Sequence, residues 1–502
     1  MINMNKLLNN INWPKFLLLF FTAVYFSSTA GGVNSGDGSS YSLTKALGEK
    51  LTFRIDDYRQ WTLDVDFAKI NGHYYLDREP GLSILSVPFY RLAKIISPLG
   101  ILPYNGLNSA VNRESVLQSF TYLSAAFYGA LGVLAVFLIS TTLGASLPSS
   151  LITSIIYGLG TLNWKYSAGY FREPVVASFL LLSFLFIFKY VLSKKPDLKL
   201  LSVSGLFFGA SLLTDYSKFY LFFIIILYLL IKKPDWKILS AFLLGFMPFF
   251  MFILFYNTKV FQSPFTNPHL HKAYFSWMKD PKNLFATPLV PGIITNLVNN
   301  GPIKKETLAF FQNHPDIAKQ FALELYHTWS YKGILIQSPF LLPSFLGFFF
   351  LFLKKKKEAL IIFLSGLLIF LITSKITIFW SGISQDSRYF LTSVAFLTLG
   401  LPYLLDAILN IRNLPVKITL FLPLIILLSI ALYNGWYSNL TQFAPGNTGF
   451  YRFELKYLTQ PLLSLNNFKL LFINTFPNIF NLPLLFIYFL PFLYPLIFRR
   501  KK

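Results

Sequence analysis

The chain has 502 residues, of which 54% are hydrophobic, 18% aromatic and only 13% charged, with 44 Lys and Arg against 21 Asp and Glu. Long apolar runs in a chain this poor in charge exclude an ordinary soluble domain and a disordered segment, and point to a multi-span membrane protein. The net charge of +23 is not interleaved with any nucleic-acid fold motif, so no nucleic-acid partner is expected, and the complete lack of cysteine excludes disulfides and thiol chemistry.

A bilayer core takes about 20 apolar residues per helix. Lipid offers the backbone no hydrogen bonds, so such runs must be helices, and the absence of alternating segments excludes a barrel. The expected class is an all-α polytopic membrane protein with about twelve spans, near 13–30, 117–142, 147–163, 174–193, 199–214, 218–231, 238–256, 333–353, 359–375, 388–406, 418–434 and 482–498. Ser28–Ala30, at the end of "FLLLFFTAVYFSSTA", resembles a signal-peptidase site.

Three larger pieces separate the spans on one side: 31–116, 257–332 and 435–481. They carry Trp, Tyr and Phe rather than Ser and Gly, which suits chain folded onto the membrane surface. In 81–97 the residues Leu82, Leu85, Phe89, Leu92 and Ile96 recur at helical spacing, with Arg91 and Lys94 off the stripe. That pattern predicts an amphipathic helix lying in the interface. The chain therefore divides into a first helix (1–30), a first outer loop (31–116), spans 2–7 (117–256), a long outer loop (257–332), and spans 8–12 with their outer segment (333–502).

Orientation follows from the basic loops. "KKPDLK" (194–199), "KKPDWK" (232–237), "KKKKE" (354–358), "IRNLPVK" (411–417) and the terminal "RRKK" share one side, which the positive-inside rule makes cytoplasmic. Of all the acids, only Asp197, Asp235, Glu358 and Asp406 fall on that side. Both termini are then expected in the cytoplasm of a plasma-membrane protein, and the remaining acids outside.

Four acid-bearing places on the outer side can carry chemistry. Asp37, in "NSGDGSSYSLTKAL", stands just past the first span between Gly36 and Gly38, which permit close approach of another group. Ser39 and Ser40 are positioned to cap the helix expected after them. "NGHYYLDREPG" (71–81) packs Asp77, Arg78 and Glu79 before Pro80, which holds Glu79 extended. There Asp77 suits a divalent cation, and Arg78 a phosphate, as a planar bidentate donor. Arg172 and Glu173 precede Pro174, a residue favoured at the first helical position, so Glu173 lies at a helix N-terminus. Arg388, in "FWSGISQDSRYF", opens a span at its outer end, where it either snorkels to the interface or meets an anionic headgroup. Each has a plainer use, as a cap, a solvated turn or an interface anchor. There is no Walker loop, GxGxxG or GxSxG, and the pair His269 and His271 is a weak metal signal.

Taken in order, these segments resemble the GT-C membrane glycosyltransferases, in the branch of the protein O-mannosyltransferases and aminoarabinose transferases. The resemblance runs over most of the chain: the acid after the first span, then "YYLDREPGLSILSVPFYRL", "REPVVASF", "YNTKVFQSPFTNPHLHKAY", "SYKGILIQSPFLL" and "FWSGISQDSRYF". It departs from the family pattern in Arg78–Glu79 for Lys–Pro, Glu173 where Asp is common, Gln262 for Gly, and Asp386–Ser387 in the last turn.

The resemblance implies transfer of a sugar from a polyprenyl-phosphate donor, on the outer face, to a protein, lipid or glycan acceptor. It implies Asp37 as catalytic carboxylate and Glu173 as second acid. Arg78, Arg388 and Arg172 become donor-phosphate ligands, and Asp77 a ligand for a divalent metal cation used by part of the family. A transporter or flippase of a lipid-linked sugar is the alternative, and it requires ionisable residues within the spans. The span interiors are nearly free of them.

Overall fold

A computed structural model of the chain describes residues 11–28, 35–96, 109–232, 234–320, 331–381 and 386–442. The span expected at 482–498, most of the outer segment 435–481, and residues 29–30 of the signal-peptidase-like site lie outside the described residues.

The long apolar runs form helices. In chain order the main ones are α1 (Trp13–Ser27), α2 (Ser35–Lys50), α3 (Gly81–Ile96), α4 (Ser109–Thr142), α5 (Leu147–Leu159), α6 (Leu162–Ser167), α7 (Glu173–Leu192), α8 (Leu198–Thr214), α9 (Tyr220–Lys232), α10 (Trp236–Phe261), α11 (Leu289–Val298), α12 (Leu341–Lys354), α13 (Lys356–Thr373), α14 (Leu391–Thr398), α15 (Leu401–Leu409) and α16 (Leu414–Gln442). Two small antiparallel pairs join them, β1 (Ala68–Ile70) with β2 (His73–Tyr75), and β3 (Asn300–Gly301) with β4 (Tyr331–Lys332).

Local chemistry sets many helix ends. The repeated Lys-Lys-Pro-Asp motif is a stop-and-start signal. Asp197 Oδ1 accepts from the Lys199 N–H at 2.9 Å to cap α8, and Asp235 Oδ1 does the same for Lys237 at 2.9 Å to cap α10. Two expected spans are broken. Residues 147–163 divide at Gly160, where Thr161 Oγ1 accepts from the Asn163 N–H at 3.1 Å and starts α6 anew. Residues 388–406 divide between α14 and α15, with Pro402 in the first turn of α15.

The centre of the bundle is α7, buried nearly all round. Ser178 Oγ donates to the Tyr128 carbonyl of α4 at 2.6 Å, Ser183 and Ser204 join α7 to α8 at 3.0 Å, and the Phe184 ring meets Phe396 of α14 at 4.8 Å. Small hydroxylated residues at helix contacts are typical of packing in lipid, where burial of apolar surface supplies no drive between helices. The bundle also turns apolar residues outward. Leu244 is 72% exposed, Leu346 64% and Leu422 57%. Together with five described helices long and apolar enough to cross a membrane, these faces define a multi-pass membrane protein.

At the end bearing the basic loops, the acids have structural partners. Glu358 pairs with Lys232 at 2.5 Å and accepts from the Tyr228 hydroxyl at 2.9 Å, while Asp406 takes the Ser146 N–H at 2.9 Å and its hydroxyl at 2.5 Å. The expected helix over 81–97 is present as α3, but its face is rotated. Leu82, Ser83, Ser86, Tyr90 and Ala93 turn inward, and Leu92 of the expected stripe is 45% exposed. Hydroxyls outcompete leucine for the interior because Ser83 Oγ finds the Ser40 carbonyl of α2 at 2.8 Å and Ser86 Oγ meets Ser124 of α4 at 2.7 Å.

The positive-inside orientation is directly testable, because the chain has no native cysteine. Cysteine at the exposed position Ser276 is expected to react with an impermeant thiol reagent in intact cells, and cysteine at exposed Lys195 only after permeabilisation. The opposite labelling pattern reverses the topology.

Candidate active site

Sequence alone places a capping turn at Asp37, with helix after Ser40. In the structure α2 starts earlier, at Ser35, and Asp37 lies in its first turn, buried, with Oδ1 accepting from the Gly38 N–H at 3.2 Å. Gly and Ser are poor helix formers, so tertiary contacts hold this turn. Ser42 Oγ donates to the Gly38 and Tyr58 carbonyls at 2.9 and 2.8 Å. Both glycines beside Asp37 admit a neighbour. A Cβ on Gly36 would stand 2.7 Å from Nη1 of Arg78, and one on Gly38 would overlap the Trp61 carbonyl. Arg78 thus reaches α2 one residue from Asp37.

The acid–base–acid turn is delivered by the β1–β2 hairpin. Ile70 faces His73 across a two-residue loop in which Asn71 and Gly72 both have positive φ, 50° and 81°, as a type I′ turn demands. Beyond it Asp77, Arg78, Asp66 and Lys272 alternate in a closed ring of charge. Arg78 Nε meets Asp77 Oδ1 at 2.9 Å, Arg78 Nη2 meets Asp66 Oδ1 at 2.9 Å, and Lys272 Nζ bridges Asp66 at 3.0 Å and Asp77 Oδ2 at 2.5 Å. Lys272 arrives because its backbone bridges Ala68 and the following Ala273 N–H reaches the Phe67 carbonyl at 2.9 Å, extending the hairpin edge. Burial alone would raise the Asp77 carboxyl, but the Arg78 and Lys272 charges override it and hold Asp77 well below the usual carboxylate range. Burial opposes the charge on Arg78 too, and Asp77 and Asp66 outweigh it, so the guanidinium is held fully protonated.

This ring does not fit a divalent cation at Asp77. Both of its oxygens already face cations, and among the described residues no three His, Cys, Asp or Glu side chains converge.

A second set ties the hairpin to α7. Glu79 is buried, with Oε2 on Nη1 of Arg172 and Oε1 accepting from the Tyr216 N–H at 3.3 Å. Arg172 Nη2 lies 3.4 Å from His269 Nε2. Burial, then the nearby Arg172 and Lys272 charges, pull His269 well below its ordinary value, so the imidazole is neutral. Its Nε2 accepts from Arg172, and its 3.5 Å approach to Glu79 is not an ion pair.

The third set surrounds Arg388. Its Nε is 3.3 Å from Glu173 Oε1, and its guanidinium stands 4.9 Å from the Phe171 ring centroid, 5.5 Å from Tyr166 and 5.3 Å from Tyr389. Glu173 opens α7 as expected, and among the described residues its Oε2 is buried with no hydrogen-bond partner. Asp386 is buried, taking Lys165 Nζ at 2.8 Å, the Tyr166 hydroxyl, and the Arg388 N–H at 3.2 Å. Tyr389, the neighbour of Arg388, also lies within electrostatic reach of Arg78.

The end of the bundle opposite the basic loops therefore gathers all the candidates from sequence. Arg78 adjoins the turn of Asp37, Arg172 goes to Glu79, Arg388 to Glu173, and Asp77 is enclosed in the ring. Lys272, Asp66 and Lys165 carry no sequence signal. Lys272 and Asp77 are 195 residues apart, and Lys165 and Asp386 are 221 apart. Lys332, on β4, is also missed. It is 4% exposed, and burial pulls its ammonium down to about 8.

Fold and site together define a polytopic α-helical membrane protein with buried carboxylates and guanidinium groups concentrated at one membrane surface. No protein-family profile and no curated protein matches the chain in sequence. Among solved structures it is similar to ArnT from Cupriavidus metallidurans bound to undecaprenyl phosphate, at 11% identity over 87% of this chain and 75% of that one, with a TM-score of 0.45. It is similar to the apo state of the same protein, at 12% identity over 87% and 77%, TM-score 0.45. It is also similar to the apo oligosaccharyltransferase of Archaeoglobus fulgidus, at 13% identity and TM-score 0.49, and spans 56% of that longer chain.

Two measurements test the site's construction. Gly36→Ala meets only the tip of a flexible arginine, while Gly38→Ala meets backbone. Thermal unfolding in detergent is expected to show a loss of about 1–3 kcal/mol for Gly38→Ala and less than about 1 for Gly36→Ala. Equal losses contradict the geometry. For Lys332, the folded value of about 8 lies below the ordinary lysine value, so the unfolded chain binds more protons between them. Stability is expected to gain a contribution as pH rises from 8 toward about 10. The wild-type minus Lys332→Met difference in unfolding midpoint isolates it, and a flat difference removes the effect.

Proposed function

We propose that the chain is an integral membrane glycosyltransferase of the GT-C kind, moving a sugar from a polyprenyl-phosphate donor to a hydroxyl or amine acceptor at the extracytoplasmic face of the plasma membrane. The observation that carries this reading is the meeting of Arg78 with the first turn of α2, one residue from the buried carboxylate of Asp37, at the end of a lipid-facing bundle. A base and an anion-binding group adjoin at headgroup depth, and the polyprenyl tail has apolar helix surface below them.

In this mechanism the acceptor O–H or N–H attacks the anomeric carbon. The bond from that carbon to the phosphate oxygen breaks, its electron pair leaves on the phosphate, and the acceptor proton passes to Asp37. The leaving group is already an anion, so the site must supply positive charge rather than a strong acid. Arg78 is tied to Asp77 and Asp66 through Nε and Nη2, so Nη1, turned toward α2, is the edge offered to a phosphate oxygen. Arg388 approaches from the side of Glu173, and Arg172 supports the donor through the turn it holds with Glu79. The Oε2 of Glu173, without a hydrogen-bond partner among the described residues, suits the acceptor's second hydrogen-bonding group. A single in-line displacement inverts the anomeric centre. No step requires a metal. The flippase reading gains no support from the buried ionisable groups, which cluster at helix ends rather than mid-bundle.

The test is transfer of radiolabelled sugar from a polyprenyl phosphate by the purified protein. Asp37→Asn keeps size and hydrogen bonding but cannot take a proton, and is expected to lower turnover per folded molecule by about 10²–10⁴-fold. Arg78→Lys is expected to weaken donor binding and to retain only part of wild-type affinity, lacking the planar fork. Near-normal turnover of Asp37→Asn removes Asp37 from the chemistry and transfers the role of base to Glu173.

A further inference from the structure

Asp386 stands two residues before Arg388, yet its carboxylate is held by other groups. Its Oδ2 is held by Lys165 Nζ at 2.8 Å and by the Tyr166 hydroxyl, and its Oδ1 takes the Arg388 backbone N–H at 3.2 Å. Both side chains of the Lys165–Asp386 pair are 4% exposed, so this is a buried pair and not a surface contact. The Ser381 hydroxyl donates to the Asp386 carbonyl at 2.9 Å and fixes the same turn from behind.

Tyr166 acts twice. Its hydroxyl holds the carboxylate, and its ring lies 5.5 Å from the Arg388 guanidinium, which the Phe171 ring approaches to 4.9 Å. The arginine is thereby stationed on aromatic faces beside Glu173, and the acid nearest to it in sequence is paired with another cation. A fourth group, the Tyr331 hydroxyl, lies within electrostatic reach of Asp386 and donates to Asn296 Oδ1 at 2.5 Å, so it does not compete for the carboxylate.

We infer that Lys165 and Tyr166 are positioning residues: by capturing Asp386 they hold its carboxylate out of direct contact with the Arg388 guanidinium, which then serves an anionic phosphate headgroup. This rests on the donor reading above and adds to it a reason for a buried lysine in a segment that carries no anion-binding motif. Without the capture, the Asp386 carboxylate would compete with the phosphate for the same arginine, and binding of the donor, rather than the proton transfer at Asp37, would suffer.

The experiment measures binding of a short-chain polyprenyl phosphate to the detergent-solubilised full chain, alongside KM and kcat for sugar transfer. Lys165→Met frees Asp386 and is expected to weaken binding about tenfold or more, the scale of a buried charge deprived of its partner. KM is expected to rise while kcat changes less. Lys165→Met combined with Asp386→Asn removes the stray carboxylate and is expected to restore binding to within about threefold of wild type. Lys165→Arg keeps the cation and is expected to bind normally. Tyr166→Phe, which keeps the ring and is the gentlest change, is expected to weaken binding by a few-fold, and this variant keeps the test open if Lys165→Met fails to fold. Failure of Asp386→Asn to rescue a folded Lys165→Met, or unaltered binding in both Lys165→Met and Tyr166→Phe, overturns the inference and leaves the donor reading intact. Wild type that neither binds polyprenyl phosphate nor transfers sugar overturns both.

Discussion

The end of the bundle opposite the basic loops depends on one interaction, the grip of Asp66 and Asp77 on Arg78. A guanidinium withdrawn from water at the end of an apolar bundle is costly unless carboxylates compensate it. Once Arg78 is so held, much else follows. Its third edge is directed at Gly36, in the first turn of α2. Lys272 must close the ring on the far side, which draws the long outer loop against the β1–β2 hairpin. The hairpin in turn hands Glu79 to Arg172 at the start of α7, a helix buried along most of its length. A local charge requirement thus fastens two loops and the central helix into one surface.

The two ends of the bundle use the same residue types differently. On the basic side, Asp197 and Asp235 terminate helices, and Glu358 and Asp406 are satisfied by neighbours that only hold helices together. On the other side the pairs are denser and interlocked. Arg388 is shared between Glu173 and aromatic rings, Asp386 is taken by Lys165, and Glu173 keeps one buried oxygen without a hydrogen-bond partner among the described residues. Buried polar groups are ordinarily satisfied. In the proposed reaction that oxygen is where the acceptor is received without first breaking a contact of the fold.

That density also shapes electrostatics. Nearly every cation near Asp37 and Glu173 is matched by a carboxylate, so the surface presents oriented edges of charge more than net charge. Such an arrangement favours a ligand by direction, because a fixed fork of donors is already aligned and little reorganisation accompanies binding. The neutral imidazole of His269 fits the same logic. A third cation beside Arg172 and Lys272 would repel both, and burial removes that charge.

The sequence by itself determined the class of the protein, most helix positions and the residues worth watching. Apolar runs of spanning length must become helices in lipid, and Pro174, Asp197 and Asp235 mark helix starts through contacts within a few residues. Asp37, Asp77, Arg78, Arg172, Glu173 and Arg388 stood out because charge is rare in this chain and because their order resembles a known pattern. Tertiary structure decided which of these meet. It moved the start of α2 upstream of the two serines, since contacts from Tyr58 and α3 outweigh the poor helix propensity of Gly and Ser. It rotated α3 so that hydroxyls rather than leucines face inward, because partners for those hydroxyls lie on that side, on α2 and α4 among them. It brought Lys272 to Asp77 and Lys165 to Asp386 across some two hundred residues. No periodicity encodes such pairings: a lysine's partner is fixed by where the backbone returns, and that is a property of the assembled fold.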